Sequence, residues 1–426
     1  MRDWHRGNQV TQSFLRQAFR TVGLMTCPVS SKPVRGRSAT SGLVSARLRL
    51  RGAVTRCAAG AGVAVFCTVL LGGGVASAGA NGRWAVEATP NPAAESLLNG
   101  VSCSSPRACT AVGTYVTGSL ANKNWTLAVR WNGRRWTRQA TANRRGGGAL
   151  LGVSCPRARD CVAVGSAGDS TLVERWTGHG WRIQASGSRR AGFLTAVSCS
   201  SPSACTAVGS TASNRALAER WNGIRWVVQR LGSPSDSLLA GVSCPSAADC
   251  IAVGHAGPGG ADWAFAERWT KGRWVLQRTR HPAFASFLNA VSCSSPNACT
   301  AVGFDETMNT YPVKTVAERW NGRRWTLQAA PNPSGLVSEL TGVSCPSSSG
   351  CTAIGTYVPR RGVPVLAEHW NGKHWAVQAT PNPKGRLHGG QFNGVSCPSP
   401  VDCSAVGYNI HLSDSLEQTL AERYQS

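Results

Sequence analysis

Helical periodicity is the first thing this 426-residue sequence lacks. After Asn81 no segment sustains an apolar period of 3.6, and Gly and Pro punctuate the chain throughout, which excludes helical solenoids. No nucleophile motif, phosphate-cradling loop or metal-ligand cluster occurs, so no catalytic residue, metal or cofactor is predicted. Basic and aromatic residues nowhere interleave as they do in single-strand binders, which argues against a dedicated nucleic-acid site. Acids are scarce: 20 Asp and Glu stand against 45 Lys and Arg, for a net charge of +25. Such a protein is drawn to anionic surfaces.

What is present is a repeat. VSC-x5-C-x-A-V/I-G followed by A-E-R-W-N-G-x-x-W-x-x-Q recurs down the chain, most plainly between Leu288 and Pro333. Seven cysteine pairs mark the copies: Cys103/Cys109, Cys155/Cys161, Cys199/Cys205, Cys244/Cys250, Cys293/Cys299, Cys345/Cys351 and Cys397/Cys403. Their first cysteines lie 44 to 52 residues apart, a period that signals a repeat architecture.

One copy reads as four short strands. Leu288 to Cys293, Cys299 to Gly303, Thr315 to Trp320 and Trp325 to Gln328 are apolar runs separated by turn signals. Asn321-Gly322 between the last two predicts a type I′ hairpin, because both residues tolerate positive φ. Apolar residues at both parities suit a sheet covered on both faces. The expectation is an all-β fold, a seven-bladed β-propeller of four-stranded antiparallel blades over residues 81–426. The ends of the chain sharpen it. The seventh copy stops at Leu420-Ala421-Glu422-Arg423-Tyr424 without its last strand, whereas Asn81 to Pro92 is a last strand with no first three. The N-terminal strand is therefore expected to complete the final blade and close the ring, where a linear solenoid would need caps.

Residues 1–56 carry eleven Lys and Arg against one acid and no apolar periodicity, and are expected to be a disordered extension, with the true start lying downstream of Met1. Residues 57–80 are uncharged and end in small residues, as a secretory signal peptide does; the alternative is an uncleaved membrane anchor. Beyond residue 80 there remain 34 basic and 19 acidic residues. Arginine heavily outnumbers lysine there, and Ala and Gly are abundant, a composition like that of proteins from high-GC bacteria. Cys27, Cys57 and Cys67 precede the repeats, and the other fourteen cysteines share one spacing. In an oxidising compartment that is a disulfide framework, each pair sitting at the base of a hairpin loop. Zinc is disfavoured, since its structural sites prefer two to four residues between cysteines. Extracellular or cell-surface localisation follows.

The hairpin W-N-G-x-x-W resembles the Asp-box of sialidase-like propellers, S-x-D-x-G-x-x-W, in register at the Gly and second Trp. It departs at the Ser and Asp, where this chain has residues such as Glu318 and Trp320, so the resemblance implies a turn and a propeller but no sialidase activity. The whole repeat is similar to those of secreted actinobacterial seven-bladed propeller proteins. It lacks the Gly-His and Trp-Asp signature of WD40 repeats and the Gly-Gly of kelch.

Repetition argues against a unique active site in the repeated residues. The Glu ring (Glu174, Glu219, Glu267, Glu318, Glu368, Glu422) reads as inter-blade hydrogen bonds and ion pairs, and the Trp pairs flanking the hairpins as buried between blades; carbohydrate stacking is the alternative for the latter. In a four-stranded meander the C-x5-C loop and the NG turn share one face, and the variable connections share the other. Binding residues are expected on the variable face: Tyr115 and Trp125; His255, Asp262 and Trp263; Phe304, Asp305, Glu306 and Tyr311; Tyr357, Arg360 and Arg361; Tyr408, Asn409, His411 and Asp414. The predicted function is a monomeric binding or scaffold module for a glycan, cell-wall polymer or protein ligand. The alternatives are a secreted carbohydrate hydrolase or lyase using acids such as Asp305 and Glu306, and a structural part of a surface assembly. Membrane association is expected only if residues 57–80 stay attached.

Overall fold

The computed structural model describes residues 82–425, apart from 118–122, 145, 258–261, 281–284, 308–309, 334–335, 360–362, 382–386 and 412–415. The expectations for residues 1–56 and 57–80 lie outside the described residues. Every described element is a strand, and the strands form antiparallel four-stranded sets. Five are separate sheets; the eight strands from Ala285 to Gln378 make two further sets joined by the single parallel pair Val313↔Val337. We number the sets in chain order.

The fifth set shows how the repeat builds a sheet. Its strands are Ala285–Ser295, Ala298–Thr307, Thr310–Trp320 and Trp325–Gln328. Leu288, Val291, Ala301, Val302, Val316 and Ala317 are all buried, so both faces are covered. The register slips between Leu288 and Ala290, and the same bulge recurs in the first strand of every set. It brings the Phe287 carbonyl within 1.8 Å of where a Cβ on Gly303 would sit, so only glycine fits there.

The seventh set joins the two ends of the chain. Leu387–Ser399, Asp402–His411 and Glu417–Gln425 supply three strands, and Arg83–Glu87 pairs with the last of them, from Arg83↔Gln425 to Glu87↔Ala421.

Neighbouring sets are joined by recurring contacts. The amide of each first cysteine donates to the serine before the equivalent cysteine of the preceding set. Cys155 reaches Ser102, and so on through Cys397 to Ser344; Cys103 reaches back to Ser396, all at 2.9–3.0 Å. The bulged residue also reaches across, as Asn99 donates to the Leu150 carbonyl and Asn393 to the Leu98 carbonyl. The third-strand arginines lie over tryptophans of the next set. Arg220 is 4.2 Å from the Trp269 ring centroid, and Arg423 is 4.6 Å from that of Trp131. The first strands touch in order around the molecule, and the seventh touches the first.

The repeated glutamates are completely buried. Each is placed to face the turn that follows the last strand of the preceding set. Glu174 accepts from the Ala142 amide, Glu219 from Gly187 and Ser188, and Glu318 from Arg280; Glu267 lies against the Gly232 and Ser233 amides. Glu368 and Glu422 have no hydrogen-bond partner on either oxygen. The equivalent donors would be residues 331 and 381, and both are proline, which has no N–H. The first set meets Pro90 in this position and carries Val129 in place of the acid. Five of the six glutamates are followed by an arginine and Glu368 by His369; each arginine points to the opposite face and stacks on a Trp, and among the described residues none of these glutamates is in an ion pair.

All seven cysteine pairs are disulfides, with Cα atoms 3.9–4.1 Å apart, closer than ordinary facing strand positions. The bridges sit at the base of the hairpin loops, and half of each also lies in the core. Cys109, Cys161, Cys205, Cys351 and Cys403 are only 0–2% exposed, and Cys250 and Cys299 are equally buried. The reason is their place in the ladder. Each lies at the start of its set's second strand (first residue for Cys250, second for the others) and faces an aromatic residue of the third: Cys109↔Trp131, Cys161↔Trp176, Cys205↔Trp221, Cys250↔Trp269, Cys299↔Trp320, Cys351↔Trp370 and Cys403↔Tyr424. Their sulfurs also pack on the preceding set. Cys109 Sγ is 3.7 Å from the Ser404 hydroxyl, Cys161 3.7 Å from Thr110, Cys351 3.6 Å from Thr300 and Cys403 3.5 Å from Thr352, while Cys205 packs in the cluster that holds Val162, Val164 and Trp226. These cysteines are framework between the sets and present no surface to a ligand.

The fourth set is the irregular one, since its first strand ends at Ser243 and leaves Cys244 outside. Peptide mapping of the purified protein is expected to find each of these fourteen cysteines linked to its neighbour six residues away; free thiols in most pairs, or bound zinc, would contradict the oxidised framework. The hairpins depart from type I′. Trp320 pairs with Trp325, leaving a four-residue loop in which Gly322 has φ 90° and the Asn321 side-chain oxygen accepts from the Arg323 and Arg324 amides. Among the described residues, a two-residue turn with both φ positive occurs only in the fourth set, at Lys271 and Gly272.

Candidate binding face

The two turns of each sheet meet at one end. A Cβ on Gly133 would lie 3.2 Å from the Arg107 side chain, and Gly178 and Gly322 stand in the same relation to Arg159 and Asn297. This end repeats from set to set. The opposite end is where the copies differ.

At that end the predicted loops prove to be largely strand. Tyr115 pairs with Trp125, Asp305 with Ser286 and Lys314, Glu306 with Ala285, and Tyr408 with Gln391 and Thr419. The ladders run beyond the repeated core because β-branched and aromatic residues continue it, as in Tyr115-Val116-Thr117. Asp305 and Glu306 are consecutive in one strand and so point to opposite faces, which prevents them from converging as a catalytic acid pair.

The structure gathers a line of acids across the fourth, fifth and sixth sets. Burial raises the Asp262 carboxyl, and Glu306 is raised by burial and by the nearby Asp262 charge. Glu339, 4% exposed, is pushed up to about 7 by burial and by Glu306. Gln391 of the seventh set donates to Glu339 at 3.5 Å and accepts from the Tyr408 hydroxyl at 3.0 Å. Asp305 is pushed to about 6 by burial, against a lowering contact with Ser286. Beside the acids is an aromatic group: the His255 ring meets Phe287 edge-on at 4.9 Å, and Phe287 stacks on Phe304 at 4.7 Å. Burial lowers His255 to about 4, so it is neutral at physiological pH.

The other predicted residues divide. Trp263, 37% exposed, lies next to Asp262 and is the most exposed aromatic residue at this end among the described residues. Tyr115 is held by Arg138, which donates to its hydroxyl at 2.8 Å, and Trp125 donates to Thr117 at 2.7 Å. Tyr408 is 4% exposed and Asn409 is buried, so both support the site from behind. Tyr357 is half-buried against the core of the sixth set. The side chains of Tyr311 and His411, and all of Arg360, Arg361 and Asp414, lie outside the described residues. Sequence reasoning missed Glu339, Gln391 and Phe287 by looking only at loops. Their signal is a departure within the repeat: the residue before the invariant apolar position is Leu97, Ala149, Phe193, Leu238 and Phe287 in five copies, but Glu339 and Gln391 in the last two. Most of the paired tryptophans are buried, and Trp176, Trp221 and Trp269 are half-buried; among the described residues the indoles outside those pairs are Trp84, buried against Tyr424, and Trp125 and Trp263. Among the described residues no group of three or more His, Cys, Asp or Glu is arranged to hold a metal ion.

No protein-family model matches the chain, and no curated protein matches it by sequence. The likeness to secreted actinobacterial repeats therefore rests on the repeat motif alone. Solved structures do resemble it. YCF48 bound to a D1 peptide aligns with a TM-score of 0.52 at 12% identity, covering 80% of this chain and 97% of the other. YCF48 from Cyanidioschyzon merolae aligns at 0.51 and 14%, covering 80% and 99%, and a chain of the mitotic checkpoint complex at 0.50 and 12%, covering 81% and 91%. At such identities the likeness speaks for fold alone: the chain is an all-β protein of four-stranded antiparallel sheets with a β-propeller-like arrangement.

Proposed function

We propose that this chain is an exported, seven-bladed β-propeller that binds a protein ligand on its variable face, around Asp262, Trp263, Glu306 and Glu339. The observation that carries the reading is the acidic line beside an exposed tryptophan, at the one end where the copies differ, in a protein otherwise strongly basic. Carboxylates crowded together favour a ligand segment bearing Lys or Arg, whose charge relieves their mutual repulsion. Trp263 supplies an amphipathic anchor for that segment. YCF48, a propeller neighbour, has been solved with a peptide bound. Export is supported by the seven disulfides, which persist in oxidising compartments.

A peptide-display selection on the protein supplies the probe, and titration of the selected peptide tests the site. Trp263→Ala is expected to weaken binding about thirtyfold, as truncation of an aromatic anchor commonly does. Arg323→Glu/Arg324→Glu, at the other end of the sheets, should alter mainly the salt dependence. If the arginine swap abolishes binding and Trp263→Ala does not change it, the site is on the other face.

A further inference from the structure

The end that carries the hairpins and cysteine loops has an excess of positive charge. Arg107, Arg134, Arg135, Arg323, Arg324 and Lys373 are exposed there, and among the described residues none has a recorded side-chain hydrogen bond or ion pair. The acids at this end are already engaged. Asp160 is bridged to Arg175 at 2.9 Å, Asp249 to Arg268 at 3.2 Å, and Asp402 accepts from Ser399 at 3.0 Å. The excess is felt internally, since the Arg159 charge helps to lower the Arg130 guanidinium, after burial.

Two apolar side chains stand among these cations. Ile224 occupies the hairpin-tip position that holds Arg134 and Arg323 in other sets, and it is 83% exposed. Val401, in the last cysteine loop, is 43% exposed. Neighbouring cysteine loops lie side by side, because third-strand arginines of one set donate to the loop carbonyls of the next: Arg175 to Pro202, Arg220 to Ala247, Arg423 to Pro106. The cations are thus spread over a plane rather than along a groove.

We propose that this end is a docking surface for an anionic lipid bilayer, with the hairpin cations on the headgroups and Ile224 entering the interface between them. A broad basic plane matches the negative potential of such a membrane. Ile224 discriminates between polyanions: it gains from an acyl boundary and gains nothing from a nucleic acid. The chain also enters the fold here, since Arg83, the first residue of its strand, pairs with Gln425 beside the cysteine loop at Asp402. This surface is opposite the ligand face and would hold that face away from the membrane.

The test is flotation of the protein with vesicles of phosphatidylglycerol and phosphatidylcholine in equal parts, and with phosphatidylcholine alone. Binding to the anionic vesicles is expected to be more than about tenfold tighter and to weaken with salt. Arg134→Glu/Arg323→Glu/Arg324→Glu should lose at least that tenfold advantage. All three positions are exposed, and unchanged near-ultraviolet circular dichroism checks that the fold is kept. Ile224→Asn should reduce binding severalfold with the salt slope unchanged, and the fluorescence of Ile224→Trp should shift to the blue on anionic vesicles. Equal binding to both vesicle types, retention by the triple charge reversal, or no blue shift overturns the proposal. Tighter binding to duplex DNA, indifferent to Ile224→Asn, would reassign the surface to nucleic acid.

Discussion

Glu368→Gln/Glu422→Gln is expected to raise the melting temperature at about pH 8 by several degrees and to flatten the fall in stability between about pH 5 and 8. Both carboxyls are completely buried, both have unpartnered oxygens, and burial pushes each up to about 8. On the adjacent strands Glu368 stands opposite Ala353 and Val377, and Glu422 opposite Ala405 and Val86, none of them charged. The raised value fixes the sign. The unfolded chain releases these protons above its ordinary value of 4.5, while the folded protein keeps them until about 8. Stability therefore falls through that window, by at most about 1.4 kcal/mol per pH unit for each group, and the loss is complete above it. Glutamine keeps the shape and removes the titration. Glu318 and Glu339, pushed to about 7, titrate in the same window, so the difference between parent and variant isolates the pair. Glu219→Gln should act in the opposite direction, because Glu219 accepts from Ser186, Gly187 and Ser188. A double variant that follows the parent at every pH would show that Glu368 and Glu422 do not carry buried protons.

The cause of this sensitivity is in the sequence, yet it could not be read there. Pro331 and Pro381 are visible as turn residues, and Glu368 and Glu422 as repeated acids. Only the packing of one sheet on the next shows that each acid looks to a turn more than 30 residues upstream for its donor, as Glu219 looks to Gly187, 32 residues earlier. Local signals were legible: the cysteine spacing, the strand order and the stray last strand at Arg83–Glu87 all follow from turn chemistry and alternation. The burial of Cys109, Cys161, Cys205, Cys351 and Cys403 was not, because the spacing within a pair says nothing of the neighbouring set that covers it. The hairpin geometry was not legible, because Asn-Gly signals a two-residue turn, whereas the Trp320–Trp325 pairing encloses four residues and Asn321 works through its side chain. At the candidate site, Asp262, Trp263 and Glu306 stood out as departures from the repeat in connecting segments. Glu339 and Gln391 did not, because they are hidden inside first strands where a reader expects core.

The proposed function rests on closure of the sheets into a ring by the N-terminal strand, which would set a ligand face at one end of the molecule and a basic plane at the other. The strand is fastened at several points. Trp84, 4% exposed, packs on Phe392 and Tyr424 with ring centroids 6.2 and 5.6 Å away, and donates to Gln378 at 3.1 Å. Asn91 accepts from the Thr419 amide at 2.8 Å, and Thr89 bonds to Thr419 as well. Trp84→Ala alone should cost about 3–5 kcal/mol through the cavity it leaves. Deleting residues 81–92 removes all of these contacts and exposes the edge of Glu417–Gln425, a template for aggregation. The decisive measurement is the thermal unfolding of that deletion beside the parent chain. The closed ring predicts aggregation or a large fall in the unfolding midpoint, and a deletion variant that stays monomeric and melts within a few degrees of the parent would contradict it.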